Sequence, residues 1–142
     1  MERISQWFLR LAVLYLVLGI VLGNVMGMSG DHSMMPVHVH LNLLGWVTMG
    51  LFGLFYRAWP AAGMTKLAKL QFWIYVPSHF VQMVSLSLLY RGVVSIEPLL
   101  GISSLVVGIA IIMFAVVLWR ATGVATDPAK AAMMAEGVRP AG

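Results

Sequence analysis

Apolar residues run almost unbroken through four long stretches of this chain, and polar residues gather in the short gaps between them. A helix that crosses a bilayer needs about 20 mostly apolar residues. Four windows meet that need, at residues 7–28, 37–60, 67–90 and 96–119. The pattern predicts an all-α membrane protein over residues 1–120, built as a four-transmembrane-helix up-down bundle with short loops. Residues 121–142 read as a small, flexible polar tail. The first apolar run is longer than the roughly 7–15 residues of a signal-peptide core, so it is expected to stay in place as a helix.

Composition sharpens this picture. Hydrophobic residues make up 61% of the chain and charged residues 10%, against about 25% charge in a soluble domain. Mean hydropathy is +0.91. In water such a chain would expose large apolar patches, and lipid is the simpler solvent. The net charge of +4 does not imply a nucleic-acid partner, because its distribution is a topology signal. Arg3 and Arg10 flank the start of helix one, Arg57, Lys66 and Lys69 gather around the join of helices two and three, and Arg120, Lys130 and Arg139 follow helix four. The other two loops hold little beyond Asp31, Arg91 and Glu97. By the positive-inside rule both termini are expected to be cytoplasmic, with residues 26–36 and 91–97 facing the periplasm of a multi-pass inner-membrane protein. Trp7, Trp59, Trp73 and Trp119 would then form an aromatic belt at the cytoplasmic ends.

Several chemistries are excluded. Without cysteine there is no disulfide, no thiolate metal site and no covalent haem attachment. The chain has no glycine-rich phosphate loop, no zinc-protease motif and no catalytic carboxylate within a span, so hydrolysis has no footing.

What is left is histidine. His32, His38 and His40 cluster around the start of helix two, and His79 lies inside helix three. An ionisable group within a membrane is costly and by default marks a functional site. Neutral imidazole is also the commonest metal ligand. His38 and His40 are two residues apart, about 200° around a regular helix, so they do not share a face. The row His38, Asn42, Gly45, Met49, Gly53, Tyr56 is small or polar, as an interior stripe should be. Periodicity therefore points His38 inward.

The run His40-x-Asn42-Leu43-Leu44, with Tyr56 and Pro60 at the helix end, resembles helix two of subunit I in the haem–copper oxidase and nitric oxide reductase superfamily. In that family the histidine at the position of His40 ligates a low-spin haem. The longer pattern His38-x-His40-x-x-Leu43-x-Gly45 is similar to haem- and copper-containing membrane proteins of the nitric oxide response. The family's subunit is a much longer protein, and its second haem and its copper need histidines from later helices that this chain lacks. The resemblance thus implies haem b binding for electron transfer or sensing of a diatomic gas, without a complete oxidase site. It implies a cofactor site around His40, His38 and Asn42, to which His79 is the candidate second ligand from helix three, and the expected partner is a second copy of the chain or a larger oxidase-type complex.

Depth counts against pairing His40 with His79 if helices two and three end at one level. His40 would lie roughly 5 Å from the outer end and His79 roughly 16 Å, at 1.5 Å per residue. A symmetric dimer would place His40, or His38, from each chain at equal depth around one haem. His79 would then hold a haem propionate or a quinone, or hydrogen-bond Gln82 or a neighbouring helix.

A rival reading concerns copper. The segment Met26 to His40 is dense in Met and His, and thioether sulfur selects Cu(I). His32, His38, His40, Met34 and Met35 would form a copper-capture loop assisting oxidase assembly. A third reading is a scaffold without cofactor. Gly19, Gly23 and Gly27 form a small-residue row that suits either a dimer face or packing within one bundle, and Ser104 and Gly108 form a similar pair.

Overall fold

A computed structural model describes residues 3–123. It is a bundle of four spans, with no strand among the described residues. Helix α1 is Arg3–Ser29. Span α2 covers Met35–Ala58. Helix α3 is Lys66–Tyr90, and helix α4 is Glu97–Gly123. All four are long and apolar enough to cross a membrane. Residues 121–123 continue α4, and the rest of the tail expected at 121–142 lies outside the described residues. Pro60 does not close α2. Trp59 leaves the helix at φ −120°, ψ 74°, and Pro60 opens a one-turn helix, Pro60–Gly63, where its missing N–H costs nothing. Thr65 then caps α3 by accepting from the Ala68 N–H at 3.2 Å.

The spans pack as two pairs, α1 with α2 and α3 with α4. In the first pair, small residues let the backbones approach. A Cβ on Gly45 would come within 2.6 Å of the Tyr15 ring, and one on Gly53 within 2.7 Å of Leu9. The Ser5 hydroxyl donates to the Gly53 carbonyl at 2.8 Å. The stripe expected to face inward along α2 does so, against α1. Gly19 and Gly23 meet Asn42 and His38, so these two glycines serve packing within the chain, while Gly27 faces open space. In the second pair, Gln82 donates to Ser104 at 3.0 Å.

The end of the bundle that carries the four belt tryptophans is held by rings. Phe8 is fully buried and meets Phe52 edge-on at 5.4 Å and Phe72 at 4.9 Å. Phe114 from α4 joins at 4.2 Å from Phe52. The tryptophans themselves point outward, as a belt at an interface would.

Candidate functional site: histidines at a π turn

Span α2 is not a regular helix. Met35–His40 is α-helical, Leu41–Thr48 is π-helical, and Met49–Ala58 is α-helical again. Side-chain donors explain the widened turn locally. Asn42 donates back to the His38 carbonyl at 2.8 Å, Tyr75 donates to the Leu44 carbonyl at 2.9 Å, and Thr48 donates to the Leu43 carbonyl at 2.8 Å. Each occupies a carbonyl that the backbone ladder would otherwise use, and such insertions bend helices. π turns concentrate at functional sites, and this one begins directly after His40.

Three histidines are oriented in the same way. The Nδ1 of His38 lies 2.9 Å from the Gly19 carbonyl, that of His40 lies 2.8 Å from the Pro36 carbonyl, and that of His32 lies 3.0 Å from the Gly30 carbonyl. A carbonyl only accepts, so each Nδ1 carries the proton. In the neutral ring, Nε2 is then a lone pair. A metal-ligating histidine is usually prepared in this manner, with its far nitrogen fixed by a carbonyl.

His79 is different. Its side chain is fully buried, and neither ring nitrogen has a hydrogen-bond partner. Tyr75 lies parallel to it at 5.8 Å and Tyr15 meets it edge-on at 4.7 Å. The backbone and ring of His40 are close enough to interact with it electrostatically, without reaching hydrogen-bond geometry. Gln82 does not serve it, because its amide goes to Ser104. An unpaired buried polar group costs about 1–3 kcal/mol, and His79 carries two.

The neighbourhood of His40 and His79 corrects the depth argument. Tyr75 reaches Leu44, and one turn further along α3, His79 lies beside His40, one turn back along α2. Tyr90 is eleven residues beyond His79, whereas α2 starts five residues before His40. Helix α3 therefore overshoots α2 by six residues, about 9 Å. The helix ends are not level, and the two histidines are.

The remaining candidates scatter. His38 is half-buried in the cleft of α1 formed by Gly19 and Gly23, and Asn42 lies one turn along the same cleft. His32 is exposed on the loop, Met35 is 43% exposed, and Met34 turns into an apolar groove beside α1. The expected copper set is thus not gathered into one place. Among the described residues no three of His, Cys, Asp and Glu converge on a metal-sized site. In the same loop, Asp31 accepts from the Ser33 N–H at 2.9 Å. Hydrogen bonds from Ser33 hold its carboxyl below the usual range.

Gln71 and Tyr75 did not stand out in the sequence. With His79 and Gln82 they form one polar row on α3 at helical spacing, all buried. The row leaves four atoms without partners, namely Gln71 Nε2, both His79 nitrogens and Gln82 Oε1. Their spacing of four, four and three residues was the signal that could have found them. Compared with family models, with curated proteins and with solved structures, the chain matches none.

Proposed function

We propose that this membrane protein binds haem b between α2 and α3, where His79 and His40 would hold the group, and that it acts in electron transfer or in sensing a diatomic gas. The observation that carries the reading is His79, a fully buried imidazole with two unpartnered nitrogens at the level of His40. The donor chemistry fits the group. Neutral imidazole is a haem ligand, and the Pro36 carbonyl fixes the far nitrogen of His40, leaving Nε2 available. In this reading a single chain would supply both histidines without a second copy. When bound, haem supplies a reversible one-electron couple or a site for a small gas.

The chain's own residues have defined parts in this reading. The Gly19 carbonyl and the Gly23 gap hold the His38 ring against α1. His38 and Asn42 thereby anchor the helix start that carries His40. Tyr75 fixes the π turn from α3 through the Leu44 carbonyl. Tyr15 packs against the His79 ring from α1 at 4.7 Å and would hold its orientation.

The test is a reduced-minus-oxidised optical spectrum of the purified protein, with and without carbon monoxide. A b-type band unmoved by carbon monoxide assigns a six-coordinate haem and electron transfer. A band that moves assigns an open position and gas binding. Absence of any band after expression with ample haem refutes the reading.

A further inference from the structure

A groove of about 730 Å³ runs between α1 and α3 on the flank of the bundle, floored by the first turns of α2. Ligand pockets commonly hold about 300–1,000 Å³. Among the described residues no histidine lines the groove, and the Tyr15 ring separates it from His79. It is therefore distinct from the histidine pair, and its occupancy does not depend on haem.

Three features define its occupant. The walls are apolar and open sideways, since Leu14, Leu18, Phe80 and Val84 are 45–61% exposed. The hydroxyl of Ser87 in the lining is already spent on the Met83 carbonyl at 2.7 Å. A trough of this kind repels water and faces lipid tails. Its length fits one leaflet, because Leu11 to Leu22 on α1 spans about 16 Å, half of a hydrocarbon core of about 30 Å. The charged side chain in its lining is Arg91, immediately past the end of α3 at Tyr90, where Gly92 at φ +91° turns the chain away. Among the described residues no acidic side chain lines the groove to neutralise that guanidinium.

We infer that the groove binds one anionic glycerophospholipid of the leaflet at the histidine end. An acyl chain lies along α1 and α3, and the phosphodiester sits on Arg91. Guanidinium suits phosphate because its planar fork can meet two oxygens. Basic pockets between membrane helices recognise anionic headgroups in the same way.

The experiment uses the full chain in mild detergent. Native mass spectrometry counts retained lipid from an equal mixture of phosphatidylglycerol and phosphatidylcholine with matched chains. The wild type should retain one lipid, favouring phosphatidylglycerol about fivefold, the worth of one basic residue near a lipid surface. Arg91→Gln should keep a lipid but lose the preference. The double variant Leu18→Trp with Val84→Trp fills the trough and should retain neither lipid. Inorganic phosphate should displace nothing. Equal retention of both lipids by the wild type, or an Arg91→Gln variant that keeps the preference, overturns the inference. So does displacement by phosphate alone, or a lipid-free dimer that covers the groove. Lipid retention and the haem band are read separately, so either reading can fail without the other.

Discussion

At the tryptophan end, Phe8 is fully buried and ring meets ring across all four spans, with centroids 4.2–6.5 Å apart. At the histidine end, the same helices bring together His38, Asn42, Tyr15 and His79, and α1 and α3 draw apart around a groove. The first region is packed ring on ring, and its one orphaned side-chain atom among the described residues is Gln71 Nε2, beside the bond from Tyr56 to Gln71 Oε1. The second leaves buried nitrogens unpaired, widens a helix into a π turn and holds two imidazoles at one depth. Helices in lipid gain little from apolar burial as such, because lipid tails are as apolar as leucine. Close packing must then hold the bundle, and the aromatic end supplies it. The histidine end is free to be imperfect, and departures from local rules collect where function lies.

Cutting into packed contacts should therefore destabilise the bundle, whereas removing the unpaired imidazole of His79 should not. The largest effect is expected for Phe8→Ala, which opens a ring-sized hole among four aromatic neighbours. We expect a loss of about 3 kcal/mol, the low end for truncating a buried Phe, since lipid removes most of the transfer part. Reversible unfolding in mixed micelles would measure it, and a loss near zero would mean that the rings do not hold the bundle. Next comes Gly45→Val. Even the first added carbon would lie 2.6 Å from the Tyr15 ring, and the forced separation of α1 and α2 should cost about 2 kcal/mol. In the same assay, no change would show that the two helices are not in contact at the π turn.

His79→Leu should have the reverse sign. In the haem-free protein it removes two unpaired nitrogens and should stabilise the fold by about 1 kcal/mol. A destabilised haem-free variant would mean that His79 has a structural partner, and the contrast between the two ends would fail. The smallest effect is expected for Gln82→Ala, which loses the hydrogen bond to Ser104. Such bonds within membranes average about 0.6 kcal/mol, and the unpaired Oε1 disappears with it, so the measured loss should be that or less. A loss above about 2 kcal/mol, beyond the largest such bonds measured, would place Gln82 in a wider network.

Much of the architecture was legible in the sequence, and the reasons are physical. Length and apolarity define a span, and all four spans occur within a few residues of their expected limits. The inward face of α2 was legible because His38, Asn42, Gly45 and Gly53 recur at helical spacing, and these residues meet α1. The relative level of α2 and α3 was not legible. Membrane helices need not end at one depth, so counting from Tyr90 misplaced His79 against His40. The π turn was also hidden, since it arises from donors on two spans, including Tyr75 from α3. The buried row Gln71, Tyr75, His79, Gln82 carries a period that the eye misses between Phe72, Trp73 and Phe80. The Met- and His-rich segment looked like one site in sequence, but its side chains diverge once α2 begins.

The central claim is that His40 and His79 act together, and haem content per chain tests it most directly. It would be measured in parallel for the wild type, His40→Ala, His79→Ala and His32→Ala, each expressed with ample haem. If the two histidines hold the group together, His40→Ala and His79→Ala lose the bound haem while His32→Ala keeps the wild-type content. Full haem content in His79→Ala would contradict it.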